Sequence, residues 1–194
     1  LVHVQNLYPF LSPSILKPVK KRNVPIVMRC PNYRLFCPSG LHLSKGKVCE
    51  KCLGGREWWC AFKNCEDNLV KSIGYAARNF AARVSGSIVN NVDRFIVLSQ
   101  FQKQRFIKSG LAEEKIRVLP NFTLADDSPR EDVGNVVGFI GRPGKEKGID
   151  QFVEAAKALP QWKFAVAGDR RALESEIPSL PNLHFEGFLS GDQL

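Results

Sequence analysis

Short apolar runs alternate with amphipathic runs of helical length along most of this chain, and that alternation constrains its fold more than any other feature. Val2–Val4 and Asn23–Cys30 read as short buried strands, with a helix between them that starts near Ser12 or Ser14 and is interrupted at Pro18. A long helical stretch covers about Asp67–Asn90, Asp93–Ser99 is a strand, and a helix follows in which Ser99 caps, Gln102 completes a capping box and Gly110 stops the run. Lys115–Asn121 is a further strand. Strands separated by helices imply a parallel sheet covered on both faces, so the fold class is α/β.

The texture changes after Asn121. Residues 123–135 (TLADDSPREDVGN) are polar and acidic, as in an interdomain linker. A second unit then opens with a strand (NVVGFIG), a tight turn (RPGKEKG), a helix (IDQFVEAAKAL), a strand (WKFAVAGD), a helix (RRALESEI) and a strand (LHFEGF). Ile149, Phe152, Val153 and Ala156 give that first helix one apolar face. Charge divides at the same place: residues 1–122 hold 20 Lys+Arg against 7 Asp+Glu, and residues 123–194 hold 8 against 12. A basic half suits an anionic partner, whether nucleic acid, an anionic leaflet or an acidic substrate, or is simply a solvated surface. No run of the sequence has the roughly 18–20 apolar residues of a membrane-spanning helix.

The turn GRPGKEKGID, Gly141–Asp150, carries the most chemistry. A strand that ends in Gly and turns into a helix places backbone N–H groups and the positive helix end at the carboxyl edge of a sheet, where phosphates bind. Arg142 can fork onto phosphate oxygens and Lys147 adds a second cation, with Gly141 and Gly148 shaping the turn. No Walker loop or GxGxxG is present. By topology Asn6, Asn32 and Ser99 fall near the carboxyl ends of strands, as cleft residues or as turn and cap residues.

Five of the six cysteines lie between Cys37 and Cys65. Cys49 and Cys52 have the spacing of a zinc knuckle, with Cys37 upstream and Cys65 downstream to complete four thiolates; Cys60 is an extra candidate and Cys30 a core thiol. Disulfides and unligated thiols are the other two states open to this set. Trp58 and Trp59, inside the same stretch, are either core aromatics or exposed beside Lys45, Lys47, Arg56 and Lys63 at a membrane interface.

The segments VHVQNLYPFLSPSIL, NYRLFCPSG, CEKC, VDRFIVLSQFQKQRFIKSGLAEEKIRVLPNF and GRPGKEKGIDQFVEAA together resemble, in order, the retaining glycosyltransferases of family four, and in particular a bacterial cell-surface polysaccharide subgroup with a Cys-rich insert. That resemblance implies a GT-B fold of two Rossmann-like domains, both incomplete in this chain. Residues 1–122 would be the later part of an acceptor domain with its insert at 37–65, and residues 136–194 the first half of a nucleotide-sugar domain. It implies a UDP- or GDP-sugar donor bound through Arg142, Lys147, Gly141 and Gly148, and a saccharide or lipid-linked acceptor near Asn6, Asn32 and Ser99. It implies zinc as a structural metal on Cys37, Cys49, Cys52 and Cys65, with no catalytic metal and no nucleic acid. A cytoplasmic location follows from it, peripheral at the inner face of the plasma membrane. Two departures bear on activity: Pro31 stands where the family has His before Asn-Tyr-Arg, and the family's glycine-rich loop and E-x7-E segment lie outside these residues, as expected of an inactive fragment. The rival readings are a zinc-dependent nucleic-acid-binding module and a non-catalytic scaffold of the same fold.

Overall fold

The apolar runs of the basic half become one parallel sheet. The computed structural model describes residues 1–7, 11–122, 134–169 and 178–190. The chain separates into two compact units, residues 1–124 and 125–194. In the first, β1 (Val2–Gln5), β2 (Ile26–Cys30), β5 (Arg94–Val97) and β6 (Ile116–Val118) lie side by side in that order, each parallel to its neighbour. Ile26, Phe95, Val97 and Ile116 sit at the centre of the core with Leu16, Val92, Phe106 and Leu111 packed on them. Two central strands buried in this way explain why these runs are nearly continuous in Val, Ile and Phe.

The crossovers hold the sheet. A 3-10 turn at Pro13–Ile15, capped by the Ser12 hydroxyl, leads into α1 (Leu16–Lys21). Pro18 does not interrupt this helix as its composition suggested, because it falls in the first turn, where backbone N–H groups have no intrahelical acceptor to lose. Between β2 and β5 come a small hairpin of β3 (Leu43–Ser44) and β4 (Lys47–Val48), the short helix α2 (Trp59–Phe62) and the long helix α3 (Leu69–Val84). Asn68 caps α3 by accepting from the Lys71 N–H at 3.0 Å. Helix α4 (Gln100–Lys108) follows β5, with the Ser99 hydroxyl accepting from the Gln102 N–H at 3.2 Å and Gly110 ending the run at φ +96°. The reciprocal bond is displaced by one residue: Gln102 Oε1 accepts from the Leu98 N–H, not from that of Ser99.

In the second unit β7 (Val136–Ile140), β8 (Lys163–Ala167) and β9 (Leu183–Gly187) form a parallel three-stranded sheet. Helix α5 (Ile149–Ala158) lays Ile149, Val153 and Ala156 against Phe164, Val166 and Leu183. The fold is therefore a parallel, Rossmann-like α/β arrangement in each unit. Most of the acidic stretch expected as a linker, residues 123–133, lies outside the described residues, as does the helix expected over 170–177.

Candidate functional site

Both sheets end in irregular backbone at their carboxyl edges, where open α/β sheets bind ligands. In the second unit β7 runs into Gly141, whose N–H donates to the Ala167 carbonyl at 2.9 Å. Beside it Gly168 closes β8, and its N–H donates to Gly187 at the end of β9 at 2.7 Å. A Cβ on Gly168 would lie 2.1 Å from the Gly141 carbonyl oxygen, so the backbone of these two turns passes too closely for any side chain. Gly168 was not singled out from sequence, although a glycine directly after an apolar strand was the available signal.

The loop after Gly141 folds over itself. A 3-10 turn at Lys145–Lys147 ends at Gly148, which takes a left-handed conformation (φ +82°) and starts α5 with no side-chain cap. The first-turn N–H groups of a ten-residue helix are thus left for an outside acceptor. Lys147 is exposed on this turn. Arg142 instead bonds Glu146 Oε1 at 2.5 Å. Part-burial works to raise the Glu146 carboxyl, but hydrogen bonds from its own backbone N–H and from Arg142 hold it below its usual range. The guanidinium expected to fork onto phosphate therefore has an internal carboxylate partner.

In the first unit Asn6 (φ +49°) and Asn32 come together at the ends of β1 and β2, lining one cavity with Arg29, Cys30 and Arg34. Its volume is about 40 Å³, room for a water and too small for a sugar ring. Asn32 Oδ1 accepts from the Arg34 N–H at 3.0 Å, while Arg34 Nε is buried with no hydrogen-bond partner. Arg29 donates to Asn121 Oδ1 at 2.6 Å. Ser99 serves as the α4 cap. Neither arginine emerged as a candidate from sequence, yet Arg29 breaks an otherwise apolar strand, which is the cue that could have found it. A larger cleft of about 820 Å³ opens where the chain leaves β1 for α1, between Ser12, Ser14 and Lys17 on one side and Arg78, Ser87 and Asn90 on the other. None of the residues expected in an acceptor cleft lines it.

The cysteines form a second focus. All six are free thiols. Cys52 and Cys60 are buried together with Ala76 and packed on by Trp59, Ala61 and Cys65. Burial pushes the Cys52 thiol up to about 12, the neighbouring Cys37, Cys65 and Cys49 push the same way, and only a hydrogen bond from the Cys60 N–H opposes them. Burial likewise raises Cys60, which bonds Cys65. Cys37 Sγ lies 3.4 Å from Ser39 Oγ. The fold thus gathers five thiols within electrostatic reach of one another. Among the described residues, however, no three His, Cys, Asp or Glu groups take an arrangement that would hold a metal ion. Cys30 stands apart in the sheet core, as expected of it, with its thiol raised to about 12 by burial.

The segment before the insert is fixed by rings. Tyr33 stacks on His42 at 4.4 Å, and Tyr33 and Phe36 meet Phe106 of α4 edge-on at 6.3 and 5.1 Å. Trp58 is exposed, and Trp59 is half-buried under Lys51, whose ammonium lies 4.4 Å from the ring centre.

No protein-family model matches the chain, and no solved structure matches it. It is similar to an "Uncharacterized 42.6 kDa protein in cps region" of Klebsiella pneumoniae, 30% identical over 118 residues, which cover 56% of this chain and 29% of that protein. It is also similar to the "Alpha-galactosylglucosyldiacylglycerol synthase" of Streptococcus pneumoniae (strain ATCC BAA-255 / R6), 26% identical over 111 residues, 50% of this chain and 30% of the synthase. The chain thus matches less than a third of the length of either relative. These are distant likenesses, one to a protein of a capsule region and one to a glycosyltransferase. No helix among the described residues is long and apolar enough to cross a membrane.

Proposed function

We propose that this chain belongs to a retaining glycosyltransferase of GT-B type that moves a sugar from a nucleotide-sugar donor to a saccharide or lipid-linked acceptor in cell-surface polysaccharide or glycolipid synthesis. The observation that carries the reading is the second unit's turn: a glycine-lined strand edge and an uncapped helix start at Gly148, with Arg142 and Lys147 on the loop between them. A diphosphate needs two or more donors and cations at one sheet edge, and this turn supplies both. On this reading residues 1–122 belong to the acceptor domain and residues 136–194 to the donor domain. Arg142 exchanges Glu146 for the diphosphate, and with Lys147 it stabilises the negative charge that grows on the leaving nucleotide, so no catalytic metal is required. The similarity to a named glycolipid synthase and to a capsule-region protein supports the transferase class, and the hydroxyl- and amide-lined cleft beside α1 has the size for a saccharide acceptor.

Zinc belongs to the same proposal as a structural ion on Cys37, Cys49, Cys52 and Cys65, supported by the electrostatic reach of the other three thiols to Cys52. It would pin the insert and leave the transfer chemistry to the cationic turn.

The test is calorimetric titration of UDP- and GDP-hexoses into the protein. Micromolar to millimolar binding that is lost by tenfold or more in Arg142→Ala and Lys147→Ala supports the donor site; each lost charge-assisted contact is worth about 1.5–3 kcal/mol. Unchanged binding in both variants, or tight salt-dependent binding of oligonucleotide in place of nucleotide sugar, overturns the reading.

A further inference from the structure

The carboxyl edge of the first sheet carries positive charge that the fold does not cancel. Arg29, one residue from the end of β2, donates through Nη2 to Asn121 Oδ1 at 2.6 Å, just beyond β6. That partner is a neutral amide, so the contact fixes the guanidinium and leaves its charge in place. Arg34, on the loop that follows β2, is held by its main chain instead: its N–H donates to Asn32 Oδ1 at 3.0 Å, and its carbonyl accepts from Asn79 Nδ2 at 2.8 Å. Its guanidinium makes no hydrogen bond and no salt bridge among the described residues, although Nε is buried.

Both arginines line one cavity with Asn6 and Asn32. No Asp or Glu lines it, and the Cys30 thiol on its wall, raised to about 12 by burial, stays neutral at ordinary pH. The carboxyl that feels Arg34 is Glu66, which lies outside the cavity lining; burial raises it, and Arg34, Lys71 and Arg78 share it. One carboxyl against three cations leaves this edge positive. A buried donor without an acceptor costs about 1–3 kcal/mol, so the arrangement is completed by an outside acceptor that carries negative charge.

Size decides how much of that ligand enters. The cavity of about 40 Å³ admits a water-sized group, and one oxygen of a phosphate or carboxylate is that size, while a sugar bearing it stays outside. Asn32 has committed its Oδ1 to the Arg34 N–H, so its amino group remains to donate, and Asn6 adds a second carboxamide. Two guanidinium groups and two amides present donors suited to an oxyanion.

We propose that Arg29 and Arg34 form an oxyanion site at the carboxyl edge of the first sheet, which takes a phosphate or carboxylate group. That the group belongs to the sugar acceptor, making it a phosphate-linked or acidic saccharide, rests on the transferase reading; the site itself uses no residue of the second unit.

Titration of inorganic phosphate and of glucuronate into the protein carrying Arg142→Ala and Lys147→Ala, followed by backbone amide NMR shifts, tests the site with the proposed donor turn silenced. At least one of the two anions should bind in the millimolar range and shift the Asn6 and Asn32 amides, glucose should not, and added salt should weaken the binding. Preference for phosphate or for glucuronate separates a phosphate-linked acceptor from a carboxylate-bearing one. Arg29→Gln and Arg34→Gln should each lower the affinity by about fivefold or more, and Arg22→Gln, an exposed arginine that precedes β2, should leave it unchanged. The thermal melt of Arg34→Gln should hold, because both hydrogen bonds of that residue use its main chain. Asn121→Ala removes the partner of Arg29 and keeps the charge, so it should cost less than about twofold; a loss as large as that of Arg29→Gln would make Arg29 a structural tie and overturn the site. Absence of saturable shifts at Asn6 and Asn32 with both anions overturns it too, as does binding that neither arginine variant weakens. Nucleotide-sugar binding to the unsubstituted turn is read separately: donor binding without the oxyanion site removes only the acceptor class, and an oxyanion site without donor binding keeps the site and removes its link to sugar transfer.

Discussion

The side-chain amide of Gln102 donates to the Asn32 carbonyl oxygen at 3.1 Å, and the same nitrogen donates to the Cys30 carbonyl at 2.9 Å. One buried carboxamide on α4 thus ties the end of β2 to the loop that carries Asn32, while its oxygen holds the Leu98 N–H at the end of β5. Gln102→Leu keeps the volume and removes all three bonds, taking this partner from the buried Cys30 carbonyl and from the part-buried Asn32 carbonyl and Leu98 N–H. It should destabilise the first unit by about 2–4 kcal/mol, read as a lower urea midpoint with an unchanged slope. A loss under about 0.5 kcal/mol would show that water reaches these groups.

How much of this was legible follows from the kind of interaction. Phe95, Val97, Ile26 and Val166 announce themselves because a strand buried on both faces has to be apolar, and Ser99 announces a helix start because its hydroxyl acts within three residues. Gln102 was visible as half of a capping box, but its bonds to Cys30 and Asn32 span 72 and 70 residues and leave no local trace. The Arg142–Glu146 pair was hidden for a different reason: its spacing is that of a helical pair, whereas the turn containing it is a 3-10 loop whose shape depends on Gly144 and Gly148. The exposure of the apolar stripe on α3 was equally hidden, since its period looks the same whether it faces a core or solvent.

Gly168 is the position in the second unit least able to accept a side chain. With its would-be Cβ 2.1 Å from the Gly141 carbonyl, Gly168→Ala forces β7 and β8 apart at the proposed donor edge. The expected result is a loss of about 2–3 kcal/mol from that unit together with weakened nucleotide-sugar binding. Gly138→Ala, within β7 and with no heavy atom within 4 Å of its Cβ, should do neither. Equal effects in the two variants would place the constraint on β-strand glycines in general.

Cys30 sets an alkaline limit on the first unit. Burial raises its thiol from about 9 to about 12, so the folded state keeps a proton that the unfolded chain releases. Its contribution is fully present below pH 9 and is lost as pH rises from about 9 towards about 12. Over that window stability should fall by up to about 1.4 kcal/mol per pH unit for this one thiol. Cys30→Ala should flatten this part of the curve while lowering stability at neutral pH. A pH dependence identical in the variant would exclude Cys30 as its source.

The five gathered thiols give opposite results in their two chemical states. Bound to zinc, protein purified without metal-affinity resin should carry about one metal per chain, release it to a thiol-modifying mercurial, and lose several kcal/mol when Cys49 or Cys52 is replaced by Ser. As unligated thiols they should carry no metal, and Cys52 and Cys60, both buried and raised by that burial, should react slowly with disulfide reagents at pH 8 until the insert unfolds. Absence of metal with two slowly reacting thiols would remove zinc from the proposal and leave the donor turn untouched.

Glu146 is the group that the proposed donor has to displace. Its carboxylate holds Arg142 at 2.5 Å before any ligand arrives, so part of the binding energy goes to breaking that pair. Glu146→Gln removes the charge and keeps the shape, leaving Arg142 free to reach a phosphate, and nucleotide-sugar affinity should rise by roughly threefold to tenfold. Inorganic diphosphate should show the same gain, because the effect lies in the anion and not in the sugar. Arg142→Ala combined with Glu146→Gln should bind no better than Arg142→Ala alone, since the carboxylate acts only through the guanidinium. An additive gain in the double variant would mean that Glu146 repels the anion directly.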